Sequence, residues 1–87
     1  MQKKVVVYTK DYCSYCTRAI NLLKKKNIEF EEIDITDDSE LQEYVIDRTG
    51  RYTVPQIIIG EHDIGGYDDL YLLNSKGELD KLLFQEI

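Results

Sequence analysis

The sequence predicts an α/β domain, a four-stranded mixed sheet with helices on both faces. Three observations carry this. Strand-like apolar runs alternate with segments of helical spacing, in the order βαβαββα, with the last helical region open to division. The chain has 87 residues, 43% hydrophobic and 32% charged, which fits one small globular domain over residues 1–87 with one modest core. Both cysteines, Cys13 and Cys16, form a Cys-x-x-Cys between the first apolar run and the first helical pattern, the placement of a redox motif.

The elements follow in order. Residues 3–8 are short, β-branched and continuously apolar, a buried strand. Residues 14–26 place Cys16, Ala19, Ile20 and Leu23 on one helical face, and Lys24-Lys25-Lys26 complements the negative end of the helix dipole. Asn27 is the expected C-cap. Residues 28–34 alternate apolar and acidic at first, a half-exposed strand. Two parallel strands joined by a helix make a βαβ unit, for which a right-handed crossover is expected. Asp37-Asp38-Ser39-Glu40 carries N-cap chemistry for a helix over about 38–48, with Leu41, Tyr44 and Val45 inward and Gly50 as its stop. After the loop 51–54, Pro55 introduces the strand Gln56-Ile57-Ile58-Ile59. The turn at Gly60-Glu61 leads to an antiparallel strand over 62–65. Gly65-Gly66 ends that strand and Tyr67-Asp68-Asp69-Leu70 opens a helix, its two aspartates favourable at the N-terminus. Asn74–Gly77 interrupts the helical pattern, and Leu79, Leu82 and Leu83 form the inner face of a last short helix. No internal repeat, low-complexity segment or linker stands out.

The cysteine placement has a chemical reason. A thiolate, not a thiol, attacks a disulfide. Free N–H groups and the dipole at a helix N-terminus favour negative charge, so Cys13 sits where its thiolate is stabilised. Lys10 adds a cation nearby and Asp11 opposes it. Cys16 lies one helical turn further on the same side and is placed to resolve a mixed disulfide. Three plainer readings compete. Both cysteines can be core residues. A structural zinc site wants about four ligands, and the chain offers two cysteines and a distant His62. A structural disulfide would close a very short loop with little entropic effect.

Net charge is −6, from 17 acidic and 11 basic residues, which disfavours non-specific nucleic-acid binding. No apolar run approaches the ~18 residues of a membrane span. Met1-Gln2-Lys3-Lys4 leads directly into the first strand-like run, without a signal-peptide pattern. The expected location is the cytoplasm, where thiols are kept reduced.

Tyr-Thr-Lys-x-x-Cys-x-Tyr-Cys at 8–16, Thr-Val-Pro-Gln at 53–56 and Gly-Gly-Tyr-Asp-Asp-Leu at 65–70 together resemble a glutaredoxin of the dithiol type, with a Cys-Ser-Tyr-Cys active site. The resemblance spans nearly the whole chain. It implies the thioredoxin fold, with residues 3–8 central in the sheet, and a glutathione-dependent disulfide oxidoreductase. Glutathione would be the reductant, with no metal required. The implied partners are glutathionylated or disulfide-containing proteins, and the default working form is a monomer. On this pattern Cys13 attacks and Cys16 resolves. Thr53, Val54 and Pro55 match the loop facing the cysteines, where a cis peptide bond before Pro55 lets Val54 pair with the cysteinyl part of glutathione. Gly66, Tyr67 and Asp68 match the segment holding the γ-glutamyl end. Lys10, joined by Arg48 or Arg51, would face the glycyl carboxylate, and Tyr15 would flank the ligand. Tyr12, Tyr44, Tyr52 and Tyr71 are expected to be packing or rim residues.

Two positions depart from the pattern. Ser14 stands where many dithiol members have proline, and some members with serine there bind an iron–sulfur cluster between two subunits. Tyr67 replaces the cysteine or small residue often found after the glycine pair. Beside glutathione-dependent redox catalysis, two other functions are therefore kept in view. One is a glutathione-ligated [2Fe-2S] cluster-binding or transfer dimer. The other is a thioredoxin-like electron carrier, which the absence of tryptophan weighs against.

Overall fold

A computed structural model of the chain describes residues 2–84. The ends of the expected 1–87 domain, Met1 and residues 85–87, lie outside them. The elements are β1 (Val5–Thr9), α1 (Ser14–Lys25), β2 (Glu31–Asp34), α2 (Ser39–Thr49), β3 (Gln56–Ile59), β4 (His62–Gly65), α3 (Tyr67–Ser75) and α4 (Leu79–Phe84). The sheet order is β2-β1-β3-β4. β1 runs parallel to β2 and antiparallel to β3, and β3 pairs antiparallel with β4 through an irregularity between Ile57 and Ile58. This is the expected mixed sheet, with β1 inside it. No helix among the described residues is long and apolar enough to cross a membrane.

Strand alternation divides the buried side chains between two faces. Val5 and Val7 of β1 and Ile57 and Ile59 of β3 pack with Ala19, Ile20 and Leu23 of α1, Leu70 of α3 and Leu79 and Leu83 of α4. On the opposite face Tyr8, Ile35, Val45 and Ile58 form a smaller core under α2. Tyr44, expected on the inner face of α2, is exposed instead, its ring tilted against Tyr8 at 6.3 Å between centroids. Val45, buried, and Leu41, partly buried, carry that face against Tyr8, Ile35 and Ile58.

The second strand begins at Glu31, not at residue 28. Asn27 takes a left-handed conformation (φ 58), and the Ile28 N–H reaches back to the Leu23 carbonyl at 3.0 Å while the Asn27 N–H bonds Lys24. This is a Schellman closure of α1, which consumes the residues the alternation had assigned to the strand. Glu29 is then paired by a side chain. The Gln2 amide donates to the Glu29 carbonyl at 2.7 Å and accepts its N–H at 2.9 Å. The same closure divides the C-terminal helical region: the Glu78 N–H bonds the Leu73 carbonyl at 2.9 Å, with Gly77 at φ 74.

Candidate active site

Four segments meet where β1 ends and β3 begins: the loop 10–13, the first turn of α1, residues 51–55 and the start of α3. Cys13 is the N-cap of α1, in extended backbone (φ −105, ψ 104). Its Sγ accepts the Cys16 N–H at 3.1 Å, so a free donor of the helix end is spent on sulfur. Across the groove the Cys13 thiol donates to the Val54 carbonyl at 3.6 Å. Tyr12, just before it, is held at φ 57, a conformation uncommon for a side-chain-bearing residue, and its ring is fully exposed.

The two thiols have unlike surroundings. Cys13 is half-buried, whereas Cys16 is only 4% exposed. Burial above all, and then the hydrogen bond with Cys13, push the Cys16 thiol up to about 12; a backbone hydrogen bond from Lys10 opposes them, and the charges of Cys13 and Glu32 reinforce them.

The opposite wall is rigidly placed. The Val54–Pro55 bond is cis. Pro55 and Gln56 are buried, and the Gln56 amide donates to the Thr53 carbonyl at 2.8 Å. Lys10, Arg51, Tyr52, Thr53 and Val54 line a cavity of about 180 Å³ beside this wall. At the start of α3, Asp69 accepts the Gly66 N–H and an Arg51 Nη1–H at one carboxylate oxygen, each at 3.0 Å. The Gly66 bond foremost, with Arg51 behind it, holds the Asp69 carboxyl below the usual range against the effect of burial. Tyr15, Tyr67 and Tyr71 make an aromatic row, with centroids 6.4 and 6.0 Å apart, and the Arg18 guanidinium lies 5.2 Å from the Tyr15 ring centre.

A family model described as glutaredoxin matches residues 5–64. The chain belongs to the glutaredoxin family. Glutaredoxin 3 of Escherichia coli (strain K12) is 49% identical over 79 residues, covering 91% of this chain and 95% of that protein. The solution structure of a Brucella melitensis glutaredoxin aligns with a TM-score of 0.84 at 48% identity, over 94% of this chain and 89% of its own. The crystal structure of a buckwheat glutaredoxin–glutathione complex aligns with a TM-score of 0.84 at 32% identity, over 91% of this chain and 74% of its own. The fold is thioredoxin-like, and the family assignment makes the chain a redox oxidoreductase.

Within this glutaredoxin the structure brings together most of the residues singled out in the sequence. Cys13, Cys16, Lys10, Thr53, Val54, Pro55 and Arg51 gather around the end of β1. Gly66 and Tyr67 stand at the start of α3, with the Tyr67 ring tilted against that of Tyr15. Arg48 is not brought there. Its Nε donates to Asp63 of β4 at 2.9 Å, and Asp63 is level with Ile58 in mid-strand, away from the cysteine end of the sheet. Of the two arginines named from the sequence, only Arg51 lines the cavity by Val54. Asp68 is exposed, and the aspartate tied into the helix start is Asp69. The spacing from Gly66 to Asp69 is that of an N-cap and an acidic residue three positions on, a capping signal legible in the sequence. Sequence reasoning also missed Glu32, which accepts a hydrogen bond from buried Thr9 at 3.0 Å beside the cysteines. Glu32 is itself exposed, as acidic residues on a half-exposed strand ordinarily are, so nothing local marks its bond to Thr9.

Proposed function

We propose that the chain is a glutathione-dependent thiol–disulfide oxidoreductase acting on glutathione mixed disulfides and protein disulfides, with Cys13 as nucleophile and Cys16 as resolving thiol. The observation that carries this reading is the asymmetry of the pair. Cys13 is accessible at the N-cap of α1 and receives the Cys16 N–H on its sulfur, while Cys16 is buried one turn behind. An N–H aimed at sulfur stabilises the thiolate that attacks and that later leaves.

In the first step the Cys13 thiolate attacks the glutathione sulfur of a mixed disulfide. The Cys13–glutathione bond forms, and the substrate thiolate leaves and takes a proton from water. A second glutathione thiolate then attacks the glutathione sulfur bound to Cys13, forming glutathione disulfide and releasing the Cys13 thiolate. With a protein disulfide, Cys13 forms a mixed disulfide with the protein. Cys16 gives up its proton and attacks the Cys13 sulfur, which releases the reduced protein. Two glutathiones reduce the resulting Cys13–Cys16 bond.

The residues around Cys13 suit a glutathione tripeptide, and the buckwheat complex supports the ligand class. Val54 presents its backbone carbonyl 3.6 Å from the Cys13 sulfur. Lys10 and Arg51 supply positive charge near Thr53 for the glycyl carboxylate, and the α3 start with Asp68 suits the γ-glutamyl end. Tyr15 and Tyr67 wall the groove. The working form in this reading is a cytoplasmic monomer whose partners are glutathione and glutathionylated or disulfide-bearing proteins.

The deciding experiment follows turnover of a glutathione mixed disulfide with glutathione, its reductase and NADPH. Cys13→Ser is expected to abolish turnover. Cys16→Ser is expected to retain it while losing reduction of protein disulfides. Equal loss of both activities in Cys16→Ser would sink the mechanism.

A further inference from the structure

A cavity larger than the one beside Val54 lies on the other side of Cys13. It is an open cleft of about 640 Å³ between α1 and the edge strand β2, and both cysteines line it. Its outer wall arises from the register of β2. Glu32 is opposite Val7 and Asp34 opposite Thr9. Val7 faces the α1-side core, whereas Ile33 packs under α2, so strand alternation sets Glu32 and Asp34 on the α1 side. Carboxylates stand where an apolar edge would have closed the sheet against α1. Glu32 is exposed on the cleft side of β2, and one carboxylate oxygen is tethered there, because Thr9, itself 2% exposed, donates to its Oε2 at 3.0 Å.

We infer that Glu32, pinned by Thr9, sets which of the two thiol routes the domain takes: its carboxylate slows the displacement of glutathione from Cys13 by Cys16 and so favours deglutathionylation over reduction of protein disulfides. This rests on the reading of Cys16 as the resolving thiol. In the governed step the Cys16 proton passes to water in the cleft. The Cys16 sulfur bonds to the Cys13 sulfur, the Cys13–glutathione bond breaks, and glutathione leaves as a thiolate that takes up a proton. The step needs an anion at Cys16, and the tethered Glu32 carboxylate across the same cleft opposes that anion. The charged and titratable groups around the cleft are Cys13 and Lys24 of α1, Lys10, Asp11 and Tyr12 of the preceding loop, and Glu32 and Asp34 of β2. Of these side chains, Cys13 and Glu32 are the ones that bear on the ionisation of Cys16, both disfavouring the thiolate. Once Cys13 carries glutathione its own charge is gone, and Glu32 is left as the anion opposing Cys16. Glu32 acts through Cys16 and takes no part in the bond exchange.

The test mixes reduced protein with one equivalent of glutathione disulfide, quenches in acid at intervals and follows the Cys13–glutathione adduct and the Cys13–Cys16 disulfide by mass spectrometry across a range of pH. In Glu32→Gln the conversion of adduct to intramolecular disulfide is expected to speed up by roughly threefold at neutral pH, as removal of one nearby charge allows, and its pH profile to move to lower pH. Glu32→Asp restores the charge and is expected to return the profile toward that of the parent. Thr9→Val frees the carboxylate and is expected to accelerate conversion less than Glu32→Gln. The rate at which Cys13 acquires glutathione, read in the same traces, separates a change at Cys16 from a loss of folded protein. An unchanged or slower conversion in Glu32→Gln overturns the inference. A parent protein that forms the adduct and never the intramolecular disulfide overturns the resolving role of Cys16 instead.

Discussion

Cys16 shows how far a single side chain can be read from burial. Its thiol is ordinarily ionised with a midpoint of 9.0, and the fold moves this to about 12. The folded state therefore holds the proton more tightly than the unfolded chain. That contribution to stability is fully present below 9.0 and is lost as the pH rises from there toward about 12. The urea midpoint of the reduced protein is expected to fall over this alkaline window, and the fall to be smaller in Cys16→Ala; titrations on either side of the window check it. Asp69 has the opposite sign. Its carboxyl is held low by Gly66 and Arg51, so its contribution is present above the ordinary value of 3.8 and is lost as the pH falls through the folded value. Asp69→Ala is expected to cost about 1 kcal/mol at neutral pH, since the side chain is partly solvated, and nothing in strong acid. Urea titrations at neutral and acid pH read the difference. The sequence announced Cys13 and Cys16 because a Cys-x-x-Cys has few other uses between a strand and a helix. It did not announce that Arg48 would turn to Asp63, because that pairing joins α2 to β4, and only the folded sheet brings those elements together.

At the scale of elements, α1 carries the reactive end of the molecule and shows which substitutions its start tolerates. Ser14 is the first helical residue, and Cys13 before it is extended at φ −105, ψ 104. Proline is at home in that first position, where the N–H has no helical partner, and it requires an extended residue before it. Ser14→Pro is therefore expected to keep the fold and to leave stability equal or raised by up to ~1 kcal/mol, checked by thermal unfolding. The junction of β4 and α3 is the contrary case. Gly65 sits at φ 110, and an added Cβ would run into the Asp69 carboxylate and come 2.7 Å from Arg51 Nη1. Gly65→Ala is expected to lower stability by about 1–3 kcal/mol, through backbone strain and the broken Arg51–Asp69–Gly66 clamp, again by urea titration. Strand β4 was legible to the residue because glycines bracket it. The start of β2 was not, because the alternation at Ile28-Glu29-Phe30 matches a strand locally, while the left-handed turn at Asn27 ties Ile28 to the end of α1 and the Gln2 side chain pairs with Glu29.

The whole molecule is asymmetric about its sheet. Among the described residues, the apolar cluster under α1, α3 and α4 has eleven buried members; the cluster under α2 has four, Tyr8, Ile35, Val45 and Ile58. The sequence foretold helices on both faces but not this inequality, since the helical spacing of α2 places Tyr44 inward and the packed structure leaves it exposed against Tyr8. Local stability follows buried apolar surface, so the two layers are expected to open separately. Backbone amides of α2 are expected to exchange with deuterium through a partial opening, well before those of α1 and β1, which await global unfolding. Gln42, Val45 and Ile46 of α2 wall the cavity beside Val54, so an opening of the thinner layer would reach that cavity while α1 stays under the larger core.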